Sequence, residues 1–294
     1  MAPAAITVIV LCMNSMLIFG MGYTAQVLAR RLRTLGWQVR GTGSAGDIAF
    51  ADGAAVRAAL ATATHVLSSV PPAREGGDPV LDTYGADIAA SGAKWIGYLS
   101  STGVYGDAGG AWVDESAPVG RGRRTARADA DLAWQALDVR VRVFRLPGIY
   151  GPGRSALDRV GEGRAHRIAI PDQVFSRVHV DDIASGVIAS FAGPAGAYNL
   201  ADDLPCSQNA VIEEAARMLG VAPPPMQSLE EANLSPMALA FYAENRRVAN
   251  GKAKRVLNWK PALATYREGL RALSATTRPI ITNADPAAAS KDQR

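Results

Sequence analysis

The chain has 294 residues, 48% of them hydrophobic, and its 31 Lys and Arg against 27 Asp and Glu leave a net charge of +4. That length can bury a substantial core as one large α/β domain or as a domain with an appended lobe, and the small charge excess leaves no block that demands nucleic acid. The two cysteines, Cys12 and Cys206, fit no metal-ligand or redox spacing, so no zinc or disulfide framework is implied and a reduced, cytoplasmic protein is the simplest account.

Residues 1–15 stand apart. Residues 6–13 are apolar but too short to span a bilayer, and no basic segment precedes them as in a signal peptide. They read either as an upstream extension of a chain that could begin at Met16 or as an extra edge strand. Residues 16–35 (MLIFGMGYTAQVLARRLRTL) then read as a short strand, a glycine turn and a helix. In the turn, Gly20 permits the tight bend, Gly22 lets backbone approach a pyrophosphate, and small Ala25 lets helix pack on strand, with Tyr23 and Thr24 between them. Leu28, Leu32 and Leu35 give the helix an apolar face and Gly36 a C-cap, so its positive N-terminus points at the turn. Strand, turn and helix together predict dinucleotide binding. Arg30, Arg31 and Arg33 read as a solvated helix face, and a second basic cluster follows at Arg121, Arg123, Arg124 and Arg127.

Further strands are expected over residues 37–42, 65–70, 94–100 and 139–146. Helices are expected over residues 54–63 and 76–91, the latter started by Asp78 and Pro79. Alternating strands and helices call for an α/β fold with a doubly wound parallel sheet. Ligands of such sheets gather beyond the C-terminal strand ends, so residues 20–25, 68–72 and 100–106 should converge on one crevice. Past Gly153 the pattern loosens: residues 178–191, 207–219 and 235–245 read as helical and 197–200 as extended. The organisation is therefore a leader (1–15), a dinucleotide-binding domain (16–150), a smaller substrate lobe with segments returning to the first domain (151–275), and a loose tail (276–294).

The glycine turn, LSSTGVYGD (99–107), RLPGIYGPGR (145–154), RVHVDDIA (177–184), YNLADD (198–203) and LNWKP (257–261) occur in an order that resembles the extended short-chain dehydrogenase/reductase family of sugar-nucleotide epimerases and dehydratases, and in particular its atypical epimerase-like members. The resemblance covers residues 16–273. It implies a Rossmann fold with a C-terminal substrate lobe, a nicotinamide dinucleotide, a small-molecule substrate, no metal, and a homodimer. It also implies that Ser101, four residues before Tyr105, polarises a substrate oxygen with Thr102 beside it. Gly148 and Ile149 would touch the nicotinamide carboxamide, and Ser69, Val70 and Pro71 would line the adenosine side. The alternative for Ser100, Ser101 and Thr102 is to cap the strand end.

The family's acid/base is a tyrosine followed four residues later by a lysine, and none of the eight tyrosines here has a lysine at that spacing. The family position of the tyrosine falls near Arg127, with Asp131 four residues further on. A guanidinium does not release a proton near neutrality but binds carboxylate or phosphate. The two residues thus either move the site from proton transfer toward anion recognition or form a surface ion pair. Tyr105, Tyr150 and His179 are the alternative acids. At the end of the second strand the ribose-binding acid is replaced by Arg40, Gly41 and Thr42, which favours NADP over NAD. The expected activity is that of an NAD(P)-dependent oxidoreductase or epimerase/dehydratase-like enzyme acting on a small polar or nucleotide-sugar substrate. A non-catalytic NAD(P)-binding sensor or scaffold is the alternative.

Overall fold

The computed structural model describes residues 14–122 and 125–276; the leader through residue 13, the tail from residue 277, and Arg123 and Arg124 lie outside the described residues. The first half runs β1 (Ser15–Phe19), α1 (Tyr23–Thr34), β2 (Gln38–Gly41), α2 (Gly53–Thr62), β3 (His65–Ser68), α3 (Pro79–Ala90), β4 (Trp95–Ser101), a 3-10 turn (Thr102–Tyr105), β5 (Trp112–Val113), α4 (Thr125–Leu137) and β6 (Val141–Leu146). The second half continues with β7 (Gly148–Tyr150), α5 (Ala156–Gly161), β8 (Arg167–Ile168), β9 (Arg177–His179), α6 (Val180–Ala189), β10 (Gly196–Asn199), α7 (Gln208–Leu219), β11 (Met226–Gln227), α8 (Pro236–Tyr242), β12 (Arg247–Val248), α9 (Gly251–Val256) and α10 (Tyr266–Thr276).

Six strands form one parallel sheet in the order β10-β6-β4-β3-β1-β2. Both faces are covered, which is why β1 reads as a continuous apolar run rather than an alternating one. Met16 and Ile18 face the layer that holds α1 and α6, whereas Leu17 and Phe19 face the layer of α2, α3 and α4. The chain leaves β1 toward β2, then returns across β1 to β3, so the winding reverses between β1 and β3 and opens a crevice beyond their C-terminal ends.

Local chemistry accounts for the element starts. Asp78 caps α3, its Oδ1 accepting from the Val80 and Leu81 amides at 3.0 Å each, and its Oδ2 accepts from Trp134 Nε1 at 2.9 Å, which ties α3 to α4. The segment expected to be helical from 178 instead begins as strand β9. His179 ends that strand and caps α6, its ring nitrogen accepting from the Asp181 amide. A cap requires extended backbone before the first helical turn, and that requirement overrides the apolar helical period. Helix α8 is likewise shorter than residues 235–245 suggested. Strand β10 returns from the second half to the sheet edge, while Tyr150, Leu157, Val211, Ala215, Tyr266 and Leu270 form a separate apolar cluster among α5, α7 and α10.

Candidate functional site

The glycine turn lies at the winding reversal. Gly20 has φ +83°, and a Cβ there would stand 2.8 Å from Val70 Cγ2, so only glycine lets β1 turn this close to the end of β3. Thr42 stitches the turn to β2: its carbonyl accepts from the Met21 amide at 2.7 Å and its hydroxyl from the Gly20 amide at 3.1 Å. Ser69 closes the other side by donating its hydroxyl to the Gly20 carbonyl. Ser69 and Val70 are thus beside the turn, and Pro71 follows them.

Gly22 is the N-cap of α1 and offers no side-chain cap, and a Cβ added there would meet no protein atom within 4 Å. The backbone amides that follow, beginning with Tyr23 and Thr24, face open space beyond Gly22, with Ala25 buried behind them. This cradle fits the pyrophosphate of a dinucleotide, because it joins unpaired donors to the positive end of a helix.

Tyr23, the first residue of α1, reaches across to the loop after β7. Its hydroxyl donates to the Pro152 carbonyl at 3.1 Å, and the Arg154 guanidinium lies 4.3 Å from its ring centroid. Arg154 also lines a cavity of about 520 Å³ beyond the ends of β4 and β6. The same cavity is bounded by Ser100, Ser101, Thr102, Arg127, Gly148 and Ile149, so the crevice of the turn and the cavity of the second half meet at Arg154. In the sequence Arg154 is only the last residue of the RLPGIYGPGR segment; its place over Tyr23 depends on packing between segments far apart in the chain, which no local signal encodes.

Ser101 accepts from the Gly103 amide at 3.1 Å, which caps the 3-10 turn and leaves its own O–H free to donate. Its neighbour Ser100 donates to Asp131 Oδ2 at 2.6 Å. Arg127 and Asp131, read in the sequence as one pair, are separated by the fold. Arg127 reaches the cavity, whereas Asp131 lies wholly buried beneath its floor and is held by Arg145. The network runs onward from Arg145 Nη1 to the Tyr105 hydroxyl at 3.1 Å, and from that hydroxyl to Asn199 Oδ1 at 2.7 Å. Arg145 escaped the sequence reading because strand periodicity marks which face a residue takes but not which buried carboxylate it will meet.

The alternative acids are held away from proton transfer. Burial pushes the Tyr105 phenol up to about 12 against the lowering effect of Arg145. Tyr150 packs its hydroxyl against Gly269 of α10, and burial followed by the charges of Asp202 and Asp182 raises its pKa further. His179 is buried edge-on to Tyr150, and burial lowers its pKa, so the imidazole stays neutral. At the end of β2, Arg40 Nε donates to Asp47 Oδ2 at 2.8 Å, while Asp47 Oδ1 accepts from the Gly41 amide at 2.8 Å. The turn through Gly43 and Gly46 therefore returns a carboxylate to a strand end where the local sequence has none.

No family model matches the sequence. A functionally unknown conserved protein from Silicibacter pomeroyi DSS is 43% identical and superposes with a TM-score of 0.80, over 90% of this chain and 99% of that one. The chain belongs to the same family as that protein. Its fold is that of the atypical, epimerase-like short-chain dehydrogenase/reductases: human epimerase family protein SDR39U1, solved with NADPH, superposes at a TM-score of 0.72 with 14% identity, over 90% of this chain and 100% of that one. Among curated relatives, a 3-diazoavenalumate denitrifying reductase of a Streptomyces species is 32% identical over 160 residues, 50% of this chain. The match spans about half of that reductase, 52% of its length. No helix among the described residues is long and apolar enough to cross a membrane.

Proposed function

We propose that the protein is an NAD(P)-dependent oxidoreductase or epimerase/dehydratase-like enzyme acting on a small polar or nucleotide-sugar substrate. The observation that carries this reading is the uncapped helix start at Gly22 with Arg154 beside it, over Tyr23, at the edge of the serine- and arginine-lined cavity. Gly20, Gly22, Tyr23, Thr24 and Ala25 hold the pyrophosphate by backbone amides, and Arg154 adds charge from the opposite wall. Ser69, Val70 and Pro71 line the adenosine side, and Gly148 and Ile149 meet the carboxamide. A bound nicotinamide supplies the hydride-exchanging carbon. Ser101 donates its hydroxyl to the substrate oxygen, where an oxyanion is stabilised as charge builds. Thr102 orders the turn beneath it, and Asp131 acts through Ser100 from below the floor. NADP is taken over NAD in this reading because Arg40 is the side chain at the ribose end of β2, and a 2′-phosphate there would compete with Asp47 for its guanidinium.

The Arg154 and Tyr23 contact also bears on the second reading, a non-catalytic sensor, since it joins α1 to the loop of the second half and the chain lacks a tyrosine–lysine acid/base. Separate titrations with NADH and NADPH by nicotinamide fluorescence, followed by turnover against keto-sugars and aldehydes, distinguish them. Binding with turnover supports the enzyme. Binding that changes oligomer or partner association without turnover supports the sensor, and a chain that takes up neither dinucleotide removes both.

A further inference from the structure

The positive side chains around the cavity differ in what already neutralises them. Arg246 pairs with Glu244 at 2.8 Å and donates to the Gly106 carbonyl at 2.7 Å. Arg177 is spent on the Phe175 carbonyl and Cys206 Sγ, at 3.1 and 3.0 Å, and on the carbonyls of Cys206 and Ser207. Arg154, over the Tyr23 ring, and Arg159, toward the Arg164 carbonyl, also line the cavity without a carboxylate partner among the described residues. What sets Arg127 apart is its place beside Ser101, with its expected helix partner taken by another residue. The helix neighbour that should compensate it, Asp131, accepts instead from Arg145, Ser100 and Gln135. The group beside Arg127 is the Tyr98 phenol, which burial keeps protonated and uncharged. Among the described residues no carboxylate pairs with Arg127, although the residue is largely buried and lines the cavity with Ser101 and Gly148.

We propose that Arg127 receives a carboxylate carried by the substrate next to its reacting carbon. This rests on the reading above and narrows it to small carboxylic acids, in place of a substrate whose reacting end is a neutral sugar. A guanidinium presents two parallel N–H donors that match the two oxygens of a carboxylate, and such charge-assisted pairs are the stronger kind of hydrogen bond. Partial burial increases the selectivity, since an uncharged ester or amide bound in the same place would leave the guanidinium desolvated without a counter-charge. Phe175 and Tyr242, edge to face at 5.6 Å, give the far wall an aromatic surface that suits an acid with an apolar body.

The test uses phenylpyruvate and benzoate beside their uncharged counterparts, methyl phenylpyruvate and benzamide, titrated into the NADPH-loaded and the unloaded full chain. The wild-type protein is expected to bind at least one acid tenfold or more tightly than its counterpart. Arg127→Gln should abolish that preference with NADPH affinity and melting temperature retained, and Arg127→Lys should keep part of it. Equal binding of acid and counterpart, no binding of either acid, or a preference that survives in Arg127→Gln overturns the proposal. Failure of both NADH and NADPH to bind the wild-type chain removes the dinucleotide reading instead, and the acid preference of the unloaded chain still decides the role of Arg127.

Discussion

Asp131 and Arg145 form a two-pronged ion pair, Nη2 to Oδ1 at 2.8 Å and Nε to Oδ2 at 3.1 Å, with side chains 0% and 4% exposed. A pair this deep stabilises only as a unit, because removing one partner strands a charge in a medium that cannot solvate it. Asp131→Ala is therefore expected to lower stability by about 3–5 kcal/mol, and Arg145→Met by a similar amount. The double variant Asp131→Ala/Arg145→Met should lose much less than the sum of the two, as read by urea denaturation. Strict additivity would mean that the pair does not act as one unit.

The two glycines of the turn should fail in different ways. Gly20→Ala forces a Cβ onto Val70 at positive φ, so the fold itself should lose on the order of 1–3 kcal/mol. Gly22→Ala meets no protein atom, so the melting temperature should hold while dinucleotide affinity falls by tenfold or more. Thermal melts and fluorescence titrations of both variants make the comparison, and unchanged affinity in Gly22→Ala would remove the cradle from the binding site.

Much of this arrangement was legible in the sequence where chemistry is local. The glycine turn, the Asp78 cap and the alternation of strand and helix are each set by a few adjacent residues, and the parallel sheet follows from them. What the chain order hid was long-range pairing. Arg127 and Asp131 sit at helical spacing and read as partners, yet Arg145, a strand residue 14 positions past Asp131, takes the carboxylate because its guanidinium is buried on the same side of the sheet. Asp47 likewise returns to the end of β2 only because the turn that carries it doubles back there.

Arg154 makes a prediction of its own. Placed over the Tyr23 ring at the mouth of the cradle, it should contribute charge to the pyrophosphate but nothing to base or 2′-phosphate recognition. Arg154→Gln is expected to weaken NADH, NADPH and ADP-ribose alike, by about 1.5–3 kcal/mol, the range for a hydrogen bond to a charged group. Adenosine 2′-phosphate, which lacks the pyrophosphate, should bind the variant and the wild type equally. A loss confined to NADPH would move Arg154 to the 2′-phosphate end.

Two buried groups set opposite slopes on stability against pH. His65 is packed against Trp37, Phe191 and Trp95, with ring centroids at 4.7, 4.6 and 5.9 Å. Burial, aided by the charges of Arg142 and Lys94, lowers its pKa from 6.5 to about 4. The unfolded chain therefore takes up a proton that the folded chain refuses, and stability falls as pH drops from 6.5 toward 4, by up to roughly 3 kcal/mol. Asp202 runs the other way. Burial raises its carboxyl from 3.8 to about 7 against the opposing charge of Arg177, so folding favours the protonated form and stability is lost as pH rises from 3.8 through 7. His65→Phe should flatten the acid arm, and Asp202→Asn should raise stability at pH 8 by at least about 1 kcal/mol, since an amide carries no charge to bury. Urea midpoints at pH 4.5, 6 and 8 separate the two effects, because each substitution should leave the other arm in place. An acid arm unchanged in His65→Phe would assign that slope to other groups.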